Sequence, residues 1–256
     1  MARHPRMVVF DLDDTLAPSK ARVPEAVRAA LTRLLANVAV CVISGGRFEQ
    51  FDEQLLRELP TALPGLDRLH LMPTCGTQYY VWRDGWHQVY AHDLTDDEKE
   101  QAIGALEEGA KTLGLWPDES WGPVIEDRGS QITFSALGQR APVDAKKAWD
   151  PDGRKKELLR AHAQAELPGL EVRSGGSTSV DVTGRGIDKA YGVGELARML
   201  DLGLDDILFI GDRLDEGGND YPVKAMGVAC IAVSGWEETV VVVNDLVDGL
   251  ERARQV

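Results

Sequence analysis

Apolar and polar positions follow two different patterns along this chain. In the first, short continuous apolar runs are separated by stretches with helical spacing. Residues 69–72 predict one short strand, and residues 7–10, 38–43, 207–210 and 228–233 are such runs, rich in Val, Ile and Phe. They predict strands buried on both faces, as in a parallel sheet. Between the first two, Val27, Ala30, Leu31, Leu34 and Leu35 fall on one helical face, and Pro24 and Glu25 suit that helix's first turn. Strand, helix and strand in that order predict a right-handed parallel unit. Phe48, Phe51, Leu55, Leu56 and Leu59 predict the next helix face, and Val193, Leu196, Ala197 and Leu200 a later one. Residues 236–250 read as a closing helix. Residues 79–82 and 86–90 flank Asp84-Gly85, a hairpin signal.

The second pattern occupies residues 91–185. Thr95 and Glu98 have capping-box spacing, and Ala102, Ile103, Leu106, Ala110 and Leu113 follow as an inward face. Residues 124–128 and 131–136 form a hairpin pattern around Gly129-Ser130. A charged, irregular linker over 142–153 leads to a helix carrying Leu158, Leu159 and Ala165, and a second hairpin turns at Gly175-Gly176. Its strands alternate. Ile132, Phe134, Val180 and Val182 point one way, and Gln131, Thr133, Ser135, Ser179, Asp181 and Thr183 the other. One sheet face is thus predicted apolar and covered, the other polar and available, either solvated or serving as the underside of a substrate-sorting lid. The organisation expected is α/β: a parallel sheet core with helices on both faces, formed by residues 1–90 and 186–256, interrupted by an α+β cap with an antiparallel sheet at 91–185.

Bulk properties narrow the function. A net charge of −14 on 256 residues argues against nucleic acid, whose phosphates demand a basic face, and against an anionic membrane. A phosphorylated metabolite remains a suitable partner if Lys, Arg and metal are concentrated locally. Cys41, Cys75 and Cys230 lack metal-site spacing. Cys41 and Cys230 sit in apolar runs and read as buried free thiols, which fits a reduced, cytoplasmic compartment. Residues 1–6 are too short for a signal peptide, and no run approaches the roughly 18 apolar residues of a membrane-spanning helix.

The chemistry gathers at strand ends. The run 7–10 leads into Asp11, Asp13 and Thr15, and ligands of open α/β sheets collect beyond the strands' carboxyl ends. Two carboxylates crowded there call for a positive partner, and Mg²⁺, which prefers hard oxygens, is the simplest. One carboxylate then acts as nucleophile and the other shuttles a proton. Ser44, Gly45 and Gly46 follow the second strand, where a hydroxyl and backbone N–H groups can hold a phosphoryl oxygen. Asp212 ends a later apolar strand, and with Asp11 and a main-chain oxygen near Asp13 it completes three protein ligands. Lys189 starts a helix and supplies a point charge. Asn219 and Asp220 follow a Gly-Gly turn and suit a role orienting Lys189 and metal-bound water. Each residue alone also fits an ordinary turn, cap or surface position; the order in which they occur is what links them.

That order, Asp-x-Asp, Ser, Lys and then Gly-Asp, resembles the four motifs of the haloacid dehalogenase-like (HAD) superfamily, and the position of the inserted module is similar to its Cof-type branch. Residues 211–220, Gly-Asp-Arg-Leu-Asp-Glu-Gly-Gly-Asn-Asp, look like the longer loop of eukaryotic-type phosphomannomutases. Residues 125–128, 175–182, 187–189 and 48–55 are similar to other signatures of that family. The resemblance implies a Rossmann-like core. It makes Asp11 the phosphorylated nucleophile, Asp13 the general acid/base, and Asp11, Asp13 and Asp212 the Mg²⁺ site, with Ser44 and Lys189 completing the catalytic set. Gly45 and Gly46 would contact the phosphoryl group, and Arg128, Ser179 and Asp181, with Arg140, the sugar phosphate. The chain departs from the mutases at Asp14 (a glycine there), at Ser44, at Arg47, and at Gln139 and Lys146, where the mutases bring arginines to the distal phosphate. Fewer arginines weaken the grip on a bisphosphorylated intermediate. Sequence alone therefore favours a Mg²⁺-dependent phosphatase acting on a sugar phosphate through an aspartyl phosphate. The alternatives are a phosphomannomutase-like isomerase and, third, a non-catalytic sugar-phosphate-binding domain.

Overall fold

A computed structural model describes residues 4–60 and 63–254; residues 1–3 of the leading hexapeptide lie outside them. The chain divides into two compact units, Met1–Ala91 with Asp188–Val256, and His92–Ile187.

The first unit is built on a seven-stranded sheet. Its strands are β1 (Met7–Asp11), β2 (Ala39–Ile43), β3 (Leu69–Met72), β4 (Gln78–Trp82), β5 (Trp86–Ala91), β10 (Ile207–Gly211) and β11 (Ala229–Ala232), in the order β11-β10-β1-β2-β3-β4-β5. The first five in that order run parallel, and the hairpin β4–β5 extends the sheet antiparallel. β1 lies between β10 and β2, with Val9 opposite Phe209 and Cys41, so the carboxyl ends of three strands converge. Alternate residues of β1 enter different cores. Val8 and Phe10 pack with α1 (Glu25–Leu35) and α8 (Trp236–Arg254), and Met7 and Val9 with α6 (Lys189–Leu200). Each such fully buried side chain contributes about 1.5–3 kcal/mol, which fixes the strand's register.

Helix α1 buries the five residues its spacing marks: Val27, Ala30, Leu31, Leu34 and Leu35. The second helix is shorter than its apolar spacing predicts. α2 (Phe48–Gln54) gives way to a single 3₁₀ turn at Leu56–Glu58, and Leu59 is extended at φ −92°, ψ 134°. Pro60 disfavours helical backbone in the residue before it. β11 is an edge strand, so Cys230 is only half-buried rather than buried; Cys41 is buried, and both carry free thiols.

The second unit stacks helices on one face of a four-stranded antiparallel sheet. Helices α3 (Asp96–Thr112) and α5 (Arg154–Glu166) pack on strands β6 (Ile125–Asp127), β7 (Gln131–Ser135), β8 (Leu170–Ser174) and β9 (Ser179–Gly184), in the order β6-β7-β9-β8. Thr95 and Glu98 form the expected capping box on α3. Two expectations change. The segment read as irregular linker contains α4 (Val143–Trp149), begun by Pro142, with Asp144 in its first turn and Lys146 and Lys147 in its last, charges that complement the helix dipole. The polar sheet face is also less available than alternation suggests, because Gln131, Thr133 and Ser135 are buried. They bond among themselves: the Gln131 amide donates to Thr133 Oγ1 (2.9 Å), whose hydroxyl donates to Asp181 (2.7 Å), and Ser135 meets Thr178 (3.4 Å).

Candidate active site

At the carboxyl end of β1, Asp11 is buried, and its Oδ1 accepts a 2.5 Å hydrogen bond from Lys189 Nζ. The same ammonium donates to Asp220 Oδ1 at 2.6 Å, and both Lys189 and Asp220 are buried. Lys189 reaches this position because Asp188 caps α6, accepting from Tyr191 N at 3.0 Å, and because α6 lies close to residues 74–76. A Cβ on Gly192 would fall 2.6 Å from Cys75 O, and one on Gly76, whose φ is +87°, 2.4 Å from Gly192 Cα. Those two glycines permit the contact.

Asp212 follows β10, the strand beside β1. Its carboxylate lies in a group with those of Asp11 and Asp220, one oxygen from each within 4.8 Å of the others. The loop 211–220, which leads into the short helix α7 (Tyr221–Ala225), is closed by Asp220 Oδ2, which accepts from Arg213 N at 3.1 Å. Three carboxylates therefore share one ammonium in a largely dehydrated site. Burial raises the pKa of Asp11 to about 8 against the opposing pull of Lys189. Burial and then Asp220 raise that of Asp212. Burial opposes the charge on Lys189, but Asp11 and Asp220 outweigh it and hold its pKa above that of an ordinary lysine. The surplus negative charge and the all-oxygen donor set suit a hard divalent cation, and Mg²⁺ fits.

Asp13 is placed differently. Its carboxylate is not part of this trio and has its own donors: Oδ1 accepts from Lys20 N (2.6 Å) and Gln54 Nε2 (3.1 Å), and Oδ2 from Gln50 Nε2 (2.9 Å). Among the described residues, the third carboxylate beside Asp11 and Asp212 is that of Asp220, a residue the sequence suggested only for support. Asp14 adopts φ +60°, a left-handed backbone in which glycine is at ease and Asp is tolerated. Its side chain accepts from Ser19 N at 3.1 Å. Thr239 of α8 ties the same loop down, donating to Thr15 O at 2.8 Å.

Ser44 is buried at the end of β2, and its Oγ accepts from Gly46 N at 3.1 Å. Gly45 follows directly, and Arg47 stands at the start of α2, 3.4 Å from Glu49. Asn219 is exposed. The remaining suggested residues belong to the second unit. Asp181 and Ser179 lie on β9, Asp181 bonded to Thr133. Arg128 pairs with Glu126 at 2.7 Å, and Lys146 donates to Gln139 O at 2.9 Å. Arg140 N donates to Trp121 O at 2.8 Å. The residues sequence reasoning missed are Gln50 and Gln54. Their i, i+4 spacing on α2 was the available signal, but an amide pair on a helix is unremarkable until its target is known.

A model of the eukaryotic phosphomannomutase family matches residues 27–248. Among curated proteins, the phosphomannomutase of Saccharomyces cerevisiae is 25% identical over 222 residues, covering 85% of this chain and 84% of its own. That of Encephalitozoon cuniculi is 28% identical over 233 residues, covering 87% and 86%. Among solved structures, an N-terminally truncated IMP-nucleotidase of Plasmodium falciparum superposes with a TM-score of 0.70 at 15% identity, covering 95% of this chain and 70% of that one. At that identity the likeness concerns the fold alone.

Proposed function

The chain belongs to the eukaryotic phosphomannomutase family of the HAD superfamily, and from that premise we propose that it interconverts hexose 1- and 6-phosphates by passing a phosphoryl group through Asp11. The observation that carries this reading is the buried ammonium of Lys189 between Asp11 and Asp220, 2.5 and 2.6 Å away, with Asp212 in the same group. A binding site needs no nucleophile held in this manner.

In the proposed reaction a carboxylate oxygen of Asp11 attacks phosphorus. The new O–P bond replaces the bond to the sugar oxygen, which leaves with a proton from Asp13. A hydroxyl of a hexose monophosphate then attacks the aspartyl phosphate, the Asp11–phosphorus bond breaks to restore the Asp11 carboxylate, and the hydroxyl's proton returns to Asp13. Lys189 steadies Asp11, Ser44 Oγ with the N–H groups of Gly45 and Gly46 receives phosphoryl oxygens, and Arg128, Arg140, Ser179 and Asp181 are assigned to the sugar phosphate. Asp11 and Asp212, with a main-chain oxygen near Asp13 and with Asp220 in reserve, would hold Mg²⁺; when bound, it supplies charge neutralisation between nucleophile and anionic substrate.

A second reading, hydrolysis, is favoured by one specific observation. At positions 139 and 146 this chain carries Gln and Lys, and Lys146 donates to Gln139 O at 2.9 Å. An ammonium is a point charge without the forked grip of arginine. Mannose 1-phosphate, incubated with Mg²⁺ and a catalytic amount of glucose 1,6-bisphosphate, separates the two. Mannose 6-phosphate without matching free phosphate is expected. Stoichiometric phosphate instead would establish the phosphatase, and no turnover of any hexose phosphate would overturn both.

A further inference from the structure

Asp13 is held by a small amide network that the proposed chemistry does not yet use. Both hydrogens of Gln50 Nε2 are directed at acceptors, Asp13 Oδ2 at 2.9 Å and Gln54 Oε1 at 2.7 Å. Both hydrogens of Gln54 Nε2 are engaged as well, by Asp13 Oδ1 at 3.1 Å and Ala21 O at 2.8 Å. Flipping either amide would set an oxygen against a carboxylate, so each orientation is fixed by its neighbours. Gln54 is buried, which makes the network costly to break. The other end of Gln50 rests on Gly46: a Cβ there would lie 2.1 Å from Gln50 Oε1. A side chain at position 46 would push Gln50 off Asp13. The phosphate-loop glycine and the Asp13 clamp are therefore one packing unit.

A carboxylate has about four lone-pair sites, two on each oxygen. Among the described residues, Oδ1 of Asp13 meets two donors, Lys20 N and Gln54 Nε2, whereas Oδ2 meets one, Gln50 Nε2. We propose that Gln50 and Gln54 are positioning residues that fix the Asp13 carboxylate so that Oδ2 delivers and retrieves the proton at the oxygen entering or leaving phosphorus. This rests on the proposed function above. When the P–O(sugar) bond breaks, its electron pair stays on the sugar oxygen, which takes the proton from Oδ2. In the return step the attacking hydroxyl gives its proton to Oδ2 as it bonds to phosphorus, while the bond from phosphorus to Asp11 breaks and its electron pair returns to the Asp11 carboxylate. Gln50 donates to Oδ2 throughout and need not move.

The test compares the rate at which Asp11 becomes phosphorylated, read by intact mass after quenching, with two donors in the presence of Mg²⁺. From glucose 1,6-bisphosphate the leaving group is a sugar alkoxide, which needs the proton; from 4-nitrophenyl phosphate it is the stable 4-nitrophenolate, which does not. Gln50→Leu is expected to slow the first by about tenfold or more, part of the ~10²–10⁴-fold that a positioned acid contributes, and to change the second less than threefold. Gln50→Lys, which restores a donor but no acceptor, is expected to recover most of the loss. In an Asp13→Asn background, Gln50→Leu should have no further effect on the sugar ester. Should Gln50→Leu fail to fold, Gln50→Met carries the same comparison. Equal slowing with both donors, or losses that add to those of Asp13→Asn, would overturn the proposal. Absence of phosphorylation of the unsubstituted protein by either ester would instead overturn the proposed function, and this inference with it.

Discussion

At the scale of single residues, the site is a charge imbalance held in place by burial. Lys189 is 1% exposed and bonded to two carboxylates. Replacing it with Met leaves those charges buried and uncompensated, which costs about 3–5 kcal/mol. Without metal, Lys189→Met is expected to lower the thermal midpoint sharply, and Mg²⁺ to restore part of it; calorimetry with and without the ion checks both. The pKa of Asp11, raised by burial to about 8, sets a pH dependence. The unfolded carboxyl ionises near 4, so below that pH Asp11 is protonated in both states and its contribution to stability is fully present. As pH rises towards 8, the unfolded state releases the proton first and the contribution falls away. Protons and Mg²⁺ compete for the same oxygens, so Mg²⁺ affinity, titrated calorimetrically at pH 6, 7 and 8.5, is expected to rise across that range; a flat profile would contradict the assignment. Asp11, Asp212 and Lys189 were legible in the sequence because each sits at a strand end or helix start. The orientation of Asp13 was not, because it depends on amides 37 and 41 residues away.

At the scale of elements, helix α6 delivers Lys189 and two glycines decide where α6 lies. Gly192→Ala places a methyl group against Ile43 and the carbonyl of Cys75. Overpacking of this kind costs about 1–3 kcal/mol, and the helix must shift one turn from Lys189. Both the denaturation midpoint and kcat are expected to fall, whereas Gly194→Ala, which meets no atom within 4 Å, should leave the midpoint unchanged or raised. The capping box of α3 offers a milder case: Thr95→Ala removes the two bonds that the hydroxyl makes to Glu98 and should cost about 1 kcal/mol in urea titration. Element type was readable wherever periodicity had only one local explanation, as in α1 and α3. It was misread where local and distant demands competed. The apolar spacing through Leu59 suggested a longer helix than Pro60 permits, and the charges over residues 142–153 concealed the short helix α4. The approach of Gly76 to Gly192 left no local trace, since it joins glycines 116 positions apart.

At the scale of the whole molecule, strand order explains how motifs spread over two hundred residues meet: β1 is flanked by β2 and β10, so Asp11, Ser44 and Asp212 leave adjacent strand ends. That convergence could be anticipated from strand–helix–strand order, since right-handed parallel connections leave few alternatives. Strand order is silent on what the phosphoryl group meets next, and we propose that Gln139 and Lys146 govern it, since neither has the forked grip of arginine. Gln139→Arg with Lys146→Arg is expected to raise the ratio of hexose 6-phosphate to free phosphate formed from mannose 1-phosphate; an unchanged ratio would remove those positions from the partition. Whether Asp11 carries the phosphoryl group can be read by intact-protein mass spectrometry after incubation with Mg²⁺ and glucose 1,6-bisphosphate and a rapid quench. The added mass of one phosphoryl group is expected, mapping to Asp11 and absent from Asp11→Asn. An adduct that persists in Asp11→Asn, or turnover without an adduct at any time, would contradict that role.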